Sequence, residues 1–187
     1  MEDISLHILD IAENSVASGA TFITISIDEK TMEDSFIVTI EDNGRGMSEE
    51  FVKKVLDPFC TTRTTRKVGL GLPLLAQSAR ETGGDIRIES VPGKGTIVTA
   101  YFRPSHIDMK PPGNIADTIT TLIAGNPRTG LFLRYSRDSR NYMLDTREIC
   151  AALEDVPINS SEVLSAIRAD LIKAINAIRG QDHKTLG

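Results

Sequence analysis

"IEDNGRGMSEE", residues 40–50, sets an acid, an amide and two glycines directly behind a run with strand character. The preceding "SFIVTI" (35–40) has the β-branched and aromatic residues that strands favour. The following "SEEFVKKVL" (48–56) reads as a helix, with Ser48 placed to cap it and Glu49 and Glu50 complementing the positive end of its dipole. Asp-Asn-Gly commonly closes a hairpin, because those residues tolerate positive φ. A hairpin needs a second strand at once, and here a helix comes instead. A calcium loop fails as well, since the EF-hand pattern requires acids where Gly44 and Gly46 stand. The turn therefore needs another use.

Upstream, Ile4, Ile8, Ile11, Ala12 and Val16 fall on one stripe of a helix over 4–18, which Gly19 ends. "TFITISI" and "SFIVTI" are two strands separated by the charged "DEKTMED". Downstream, "DPFCTTRTTRKVGLGL" has no hydrophobic period and is a loop long enough to suggest function. "PLLAQSARETGG" is a helix with Pro73 in its first turn and glycines at its end. "DIRIES" and "TIVTAYF" alternate as paired strands across "VPGKG". The order α, β, β, α, loop, α, β, β predicts a two-layer α/β sandwich with a mixed sheet rather than a doubly wound fold, because its strands come in hairpin-like pairs.

Three prolines in 104–113 mark a linker between a first domain, 1–103, and a small α+β C-terminal appendage, 114–187, of unassigned role. The appendage is expected to hold a helix from Ile115 to Ala124, a hairpin ("LFLRYSR", "NYMLDT") and two further helices. The last helix, Ser161 to Arg179, is amphipathic; core packing is its expected use, and a homodimer surface is the alternative.

The 187 residues suffice for one full domain and more, and 40% hydrophobic with 25% charged residues is ordinary for a globular protein. A net charge of −5 argues against non-specific nucleic-acid binding, although a local basic patch could coexist with it. Two cysteines, Cys60 and Cys150, give neither a disulfide framework nor metal-ligand spacing. No apolar run approaches the ~20 residues of a membrane span, and the acidic start is unlike a signal peptide, so a cytoplasmic protein is expected.

Four segments carry candidate chemistry. On the first helix, His7, Asp10 and Asn14 share a polar face expected to lie apart from the isoleucine stripe, while Glu13 points away. His7 is expected at the surface and Cys60 in packing. The second segment is Asp42, Gly44, Gly46 and Met47. The third is the cationic loop ending in Gly69, Leu70, Gly71 and Leu72 at a helix start, where free N–H groups suit an anion. The fourth is Gly93-Lys94-Gly95-Thr96.

Together these segments resemble the Bergerat-type ATP-binding fold shared by DNA gyrase, heat-shock chaperones, histidine kinases and MutL mismatch-repair proteins. "DIAENSVASGAT" is similar to the N box, most closely that of MutL, and "EDNGRGM" to the first glycine box. "DPFCTTR" resembles the histidine-kinase F box, "VGLGL" the second glycine box and "GKGT" the last. The resemblance runs from about Asp3 to Arg103. It implies ATP and Mg²⁺ as ligands. Asp42 would accept from the adenine amino group, Gly46 would let backbone approach the base, and Thr96 would support it through its hydroxyl. That assignment is chemically sound: a carboxylate reads an N–H₂ donor, and glycine removes the side chain that would block the ring. Asn14 would ligate Mg²⁺, an oxygen-ligand role suited to that ion. Gly69 and Gly71, with Leu70 and Leu72, would belong to the lid over the phosphates, and Arg63, Arg66 or Lys67 would offer charge.

Two departures shape the expected activity. Where the hydrolytic and serine-kinase branches carry Glu, this chain has Asp10, one methylene shorter, as the candidate general base. The lid reads "KVGLGL" in place of "GTGLGL". Because the chain opens at the N-box helix, it is expected to lack its own phospho-acceptor histidine domain. The leading expectation is a signalling protein, a stand-alone kinase or ATPase acting on a protein partner. The alternatives are a nucleotide-gated interaction module without turnover and a shortened MutL-like DNA-associated ATPase. All the boxes close by Thr96, so the region after the linker is expected to supply no ligand.

Overall fold

A computed structural model describes residues 3–55 and 71–180. The first helix, α1 (Ile4–Ala17), starts where the Asp3 carboxylate accepts from the Leu6 N–H and ends at Ser18, with Gly19 in the left-handed region at φ +85°. The strands β1 (Phe22–Lys30) and β2 (Ser35–Asp42) form an antiparallel hairpin. Ser48 begins α2 (Glu49–Val55): its carbonyl accepts from Phe51 and Val52, and its hydroxyl oxygen from the Phe51 N–H at 3.3 Å. Then come α3 (Gly71–Glu81) and a second hairpin, β3 (Asp85–Val91) and β4 (Gly95–Phe102). The later residues give α4 (Ile115–Gly125), a third hairpin of β5 (Gly130–Arg137) and β6 (Arg140–Asp145), α5 (Thr146–Leu153) and α6 (Ser161–Arg179).

The six strands among the described residues belong to one mixed sheet, in the order β3-β4-β2-β1-β5-β6, with β1 and β5 parallel and every other neighbouring pair antiparallel. The two-layer mixed-sheet sandwich is as expected. The separate appendage is not found, because β5 pairs with β1 and continues the same sheet. The cause is physical. The hairpin β1–β2 leaves β1 with an unpaired row of backbone groups, and β5 carries the alternating Leu131, Leu133 and Tyr135 that must be covered on one face. Pairing satisfies both.

Register explains the core. Residues paired across strands point to the same face. One transverse row reads Ile88, Val98, Ile40, Ile25, Leu133, Leu144, an aliphatic residue from each strand. The next reads Ile86, Ala100, Val38, Ile27, Tyr135, Tyr142. Helices cover this face, with α1 packed between α3 and α4, and α6 beyond α4. Ile4, Ile8 and Ile11 of α1, Leu75 of α3, Ile119 of α4 and Leu171 of α6 complete the core. Each fully buried aliphatic side chain contributes about 1.5–3 kcal/mol.

Candidate functional site

Beyond the aliphatic row the helix-covered face changes character. Ser90, Thr96 and Asp42 lie side by side on β3, β4 and β2, and the row continues as Ile23 and Leu131 on β1 and β5. The Asp42 carboxylate is held at both oxygens: Oδ1 accepts from the Gly44 N–H at 2.8 Å, and Oδ2 from the Ser15 hydroxyl at 2.7 Å. A carboxylate has about four lone-pair sites, so this one is oriented and still able to accept. Asn43 turns the other way. Its Oδ1 accepts from the Thr21 and Phe22 N–H groups at 2.9 and 3.0 Å, fixing the turn to the start of β1.

The glycines of the turn are there for close approach. Gly46 has φ +66°, and a Cβ on it would fall 2.1 Å from the Val91 carbonyl oxygen. A Cβ on Gly44 would lie 2.0 Å from Ser18 Oγ. The turn is thus wedged between the end of α1 and the β3–β4 turn, where the Arg45 carbonyl accepts from the Gly93 N–H at 2.7 Å. The Met47 N–H donates to Ser90 Oγ at 2.8 Å. Ser90 Oγ also lies 2.9 Å from Thr96 Oγ1 and donates to the Gly95 carbonyl at 2.9 Å.

Asp10 and Asn14, four residues apart on α1, meet the first residue of α3. A Cβ on Gly71 would sit 1.8 Å from Asp10 Oδ2 and 3.5 Å from Asn14 Nδ2, so the carboxylate occupies the space a side chain would need. Burial, which disfavours the charged form, raises the Asp10 carboxyl above its ordinary range. Leu72 packs into the hydrophobic core. Arg63, Lys67, Gly69 and Leu70, with Arg66 and Cys60, lie outside the described residues.

His7 is not at the surface. It is 1% exposed, because α3 packs across that side of α1 and brings Ser78 to 3.0 Å from His7 Nε2. Ser78 Oγ also accepts from Lys110 Nζ at 2.5 Å, while His7 Nδ1 is buried without a partner among the described residues. Burial first, then the Lys110 charge, lowers the His7 pKa to about 4, so the ring is neutral at pH 7. The polar face expected of His7, Asp10 and Asn14 is therefore divided: Asp10 and Asn14 reach the site, and His7 belongs to the packing between α1 and α3.

Two site residues carried weaker signals. Ser15 follows Ile8 and Ile11 on the buried stripe of α1, and Ser90 takes the third inward position after Ile86 and Ile88 on β3. A serine in an apolar series was the available sign. As for metals, no cluster of three His, Cys, Asp or Glu occurs among the described residues. Asn14 offers a hard oxygen donor, and Mg²⁺ characteristically takes one or two protein oxygens and completes its shell with phosphates and water. The donor set fits that ion.

A two-layer sandwich with an oriented carboxylate at its sheet end, and with Asp10 and Asn14 against the first residue of α3, suits a nucleotide-binding class. The profile of the family described as "Histidine kinase-, DNA gyrase B-, and HSP90-like ATPase" matches residues 2–106, and the chain belongs to that family of ATP-binding domains. It is 35% identical over 82 residues to the sensor histidine kinase WalK of Bacillus subtilis (strain 168), covering 41% of this chain and 13% of WalK. It is 37% identical over 103 residues to a putative sensor protein of Shewanella frigidimarina (strain NCIMB 400), covering 54% of this chain and 15% of that protein. The matched stretch thus spans only a small part of these relatives. In structure it is similar to the N-terminal domain of a DNA repair protein, with a TM-score of 0.51 at 13% identity, over 78% of this chain and 53% of the other; this is a likeness of fold. No helix among the described residues is long and apolar enough to cross a membrane.

Proposed function

We propose that this chain binds Mg·ATP between the Asp42 row and the start of α3, and acts on a protein partner as a protein kinase or ATPase. One observation carries the reading: a carboxylate fixed by Ser15 and Gly44 stands directly across the strands from Thr96, with Asp10 and Asn14 placed against the first residue of α3. Asp42 accepts from the amino group of adenine. Gly46 lets backbone approach the base, with Gly44 and Met47 beside it in the same turn. Asn14 would hold Mg²⁺, which when bound neutralises charge on the phosphates. Gly69, Leu70, Gly71 and Leu72 supply N–H groups to the phosphates, and Arg63 or Lys67 supplies charge. Leu72, being core, contributes through its backbone. Asp10 is the general base; a carboxyl raised by burial holds a proton better than an exposed one would.

A second reading, a nucleotide-gated interaction module, is favoured by the packing of α4 on α1. Thr118 Oγ1 donates to the Ser5 carbonyl at 3.3 Å, and Asn126 Nδ2 to Glu13 Oε1 at 3.1 Å. The helix that carries Asp10 and Asn14 is thereby joined to the C-terminal half, so ATP contacts there would bear on the packing of α4.

Titration calorimetry of ATP and adenosine, with and without Mg²⁺, tests the site. Asn14→Ala is expected to abolish the Mg²⁺ dependence of ATP binding and to leave adenosine binding intact. Equal loss of adenosine would make Asn14 structural. Phosphate release or phosphotransfer under saturating Mg·ATP separates the enzyme from the gated module.

A further inference from the structure

We infer that Ser90 is a positioning residue for base recognition, which aims the Thr96 hydroxyl at the nucleotide. The inference rests on the ATP reading above and adds to it a residue that touches no part of the nucleotide.

The argument is one of protons. Ser90 Oγ has three neighbours: the Met47 N–H at 2.8 Å, the Gly95 carbonyl oxygen at 2.9 Å and Thr96 Oγ1 at 2.9 Å. A serine hydroxyl has one proton and two lone pairs. Met47 occupies one lone pair, and the proton has two acceptors to choose between. If it goes to Gly95, Thr96 must give its own proton to Ser90 and then faces the site with lone pairs alone. If it goes to Thr96 Oγ1, the Thr96 proton is free to point at a ligand.

Adenine decides between these states. Beside its amino donor lies a ring nitrogen with a lone pair, whereas guanine offers a carbonyl and an N–H in the same places. Asp42 and Thr96 are direct partners across β2 and β4. An acceptor at Asp42 and a donor at Thr96 match the adenine edge and mismatch that of guanine. The matching state requires the proton of Ser90 to move from Gly95 to Thr96. Ser90 also ties Thr96 to Met47, and the Gly93 N–H to Arg45 carbonyl bond of 2.7 Å ties the same two turns a second time. Ser90 therefore sets both the place and the polarity of the Thr96 hydroxyl.

The test is a double-mutant cycle by titration calorimetry, using ATP, adenosine and Mg·tripolyphosphate on wild type, Ser90→Ala, Thr96→Val and the double variant. Loss of one neutral hydrogen bond should weaken ATP and adenosine by the same factor, roughly 5- to 10-fold, and leave tripolyphosphate unchanged. In the Thr96→Val background Ser90→Ala should cost less than about 2-fold, because no hydroxyl remains to be aimed. Ser90→Thr, which keeps the hydroxyl, should restore wild-type affinity. Should Ser90→Ala fail to fold, Ser90→Cys, a near-isostere with a weak donor, takes its place in the cycle. Equal weakening of tripolyphosphate, or the same factor with Val at 96, would overturn the inference while leaving the ATP reading intact. Wild-type protein that binds neither ATP nor adenosine would overturn both.

Discussion

Two polar corners frame the apolar rows of the helix-covered face, and they are built on opposite plans. One is the row of Ser90, Thr96 and Asp42. At the far end of the strands the row reads Phe102, Phe36, Glu29, Arg137 and Arg140. There Arg179 of α6 reaches back to Glu29 at 2.8 Å and to the Tyr135 hydroxyl at 2.7 Å, and Tyr135 in turn donates to Glu29. Arg137 adds a contact to Glu29 at 3.6 Å and donates to the Arg179 carbonyl; Arg140 donates to that of Ala177. Burial and the neighbouring Glu29 charge hold the Tyr135 phenol protonated, far above its ordinary range. In that corner charge meets charge, and the last helix is locked to the sheet. In the Asp42 corner hydroxyls and N–H groups orient a carboxylate that no Lys, Arg or His pairs among the described residues. The difference is that between charges paired within the protein and a carboxylate oriented without a countercharge.

The largest effect expected from breaking this contrast is on turnover. Asp10→Asn removes the candidate base and leaves its shape. Any phosphate release should fall about 100-fold or more, while ATP affinity stays within a few-fold. Asp10→Glu, the longer acid, would intrude further on the first turn of α3. Equal rates in wild type and Asp10→Asn would remove the base assignment, and no turnover in either would favour the gated module.

Next in size is the locked corner. Arg179→Ala leaves the half-buried Glu29 with the Tyr135 hydroxyl and the longer Arg137 contact, so the cost is expected below the roughly 3 kcal/mol of breaking a fully buried pair. Urea unfolding should register it as a lower midpoint. Nucleotide affinity of the folded protein should be unaffected, since the two corners lie at opposite ends of the strands. A parallel loss of ATP binding would show that they are coupled.

A smaller effect is expected with pH. His7 is held neutral by burial, with a folded pKa of about 4 against an ordinary 6.5. Below the unfolded value the unfolded chain binds more protons, so stability should fall as pH drops from about 6.5 to about 4. Asp10 acts in the opposite sense. Its folded pKa is raised, so ionisation weakens the fold as pH rises past the ordinary carboxylate range. His7→Gln should flatten the first slope and Asp10→Asn the second, as read from melting temperature against pH. Unchanged slopes would mean that neither group titrates differently on folding.

Much of this was legible in the sequence because it is local. The isoleucine stripe of α1, the alternation in each strand and the glycine ends of the helices dictate elements whatever surrounds them, and the spacing of Asp42, Gly44 and Gly46 declares a turn with a purpose. What failed to show was non-local. Nothing in "LFLRYSR" says that its partner is β1, more than a hundred residues earlier, because an alternating strand specifies a face and not a neighbour. His7 looked exposed because α1 alone offers it solvent, and only the packing of α3 buries it. Ser15 and Ser90 were hard to see for a chemical reason. A serine is at home on a surface, and its value here lies in the two or three atoms that folding brings to it.

The central claim is that Asp42 is the adenine anchor, and titration calorimetry of ATP and adenosine against wild type and Asp42→Asn tests it most directly. The substitution keeps the shape, leaves one oxygen to accept where there were two, and turns an N–H₂ toward the amino group of the base. Losing a hydrogen bond to a charged acceptor costs about 1.5–3 kcal/mol, so both ligands should bind roughly 10- to 150-fold more weakly in a protein that still melts cooperatively. Unchanged affinity for ATP in a folded Asp42→Asn protein would contradict the assignment.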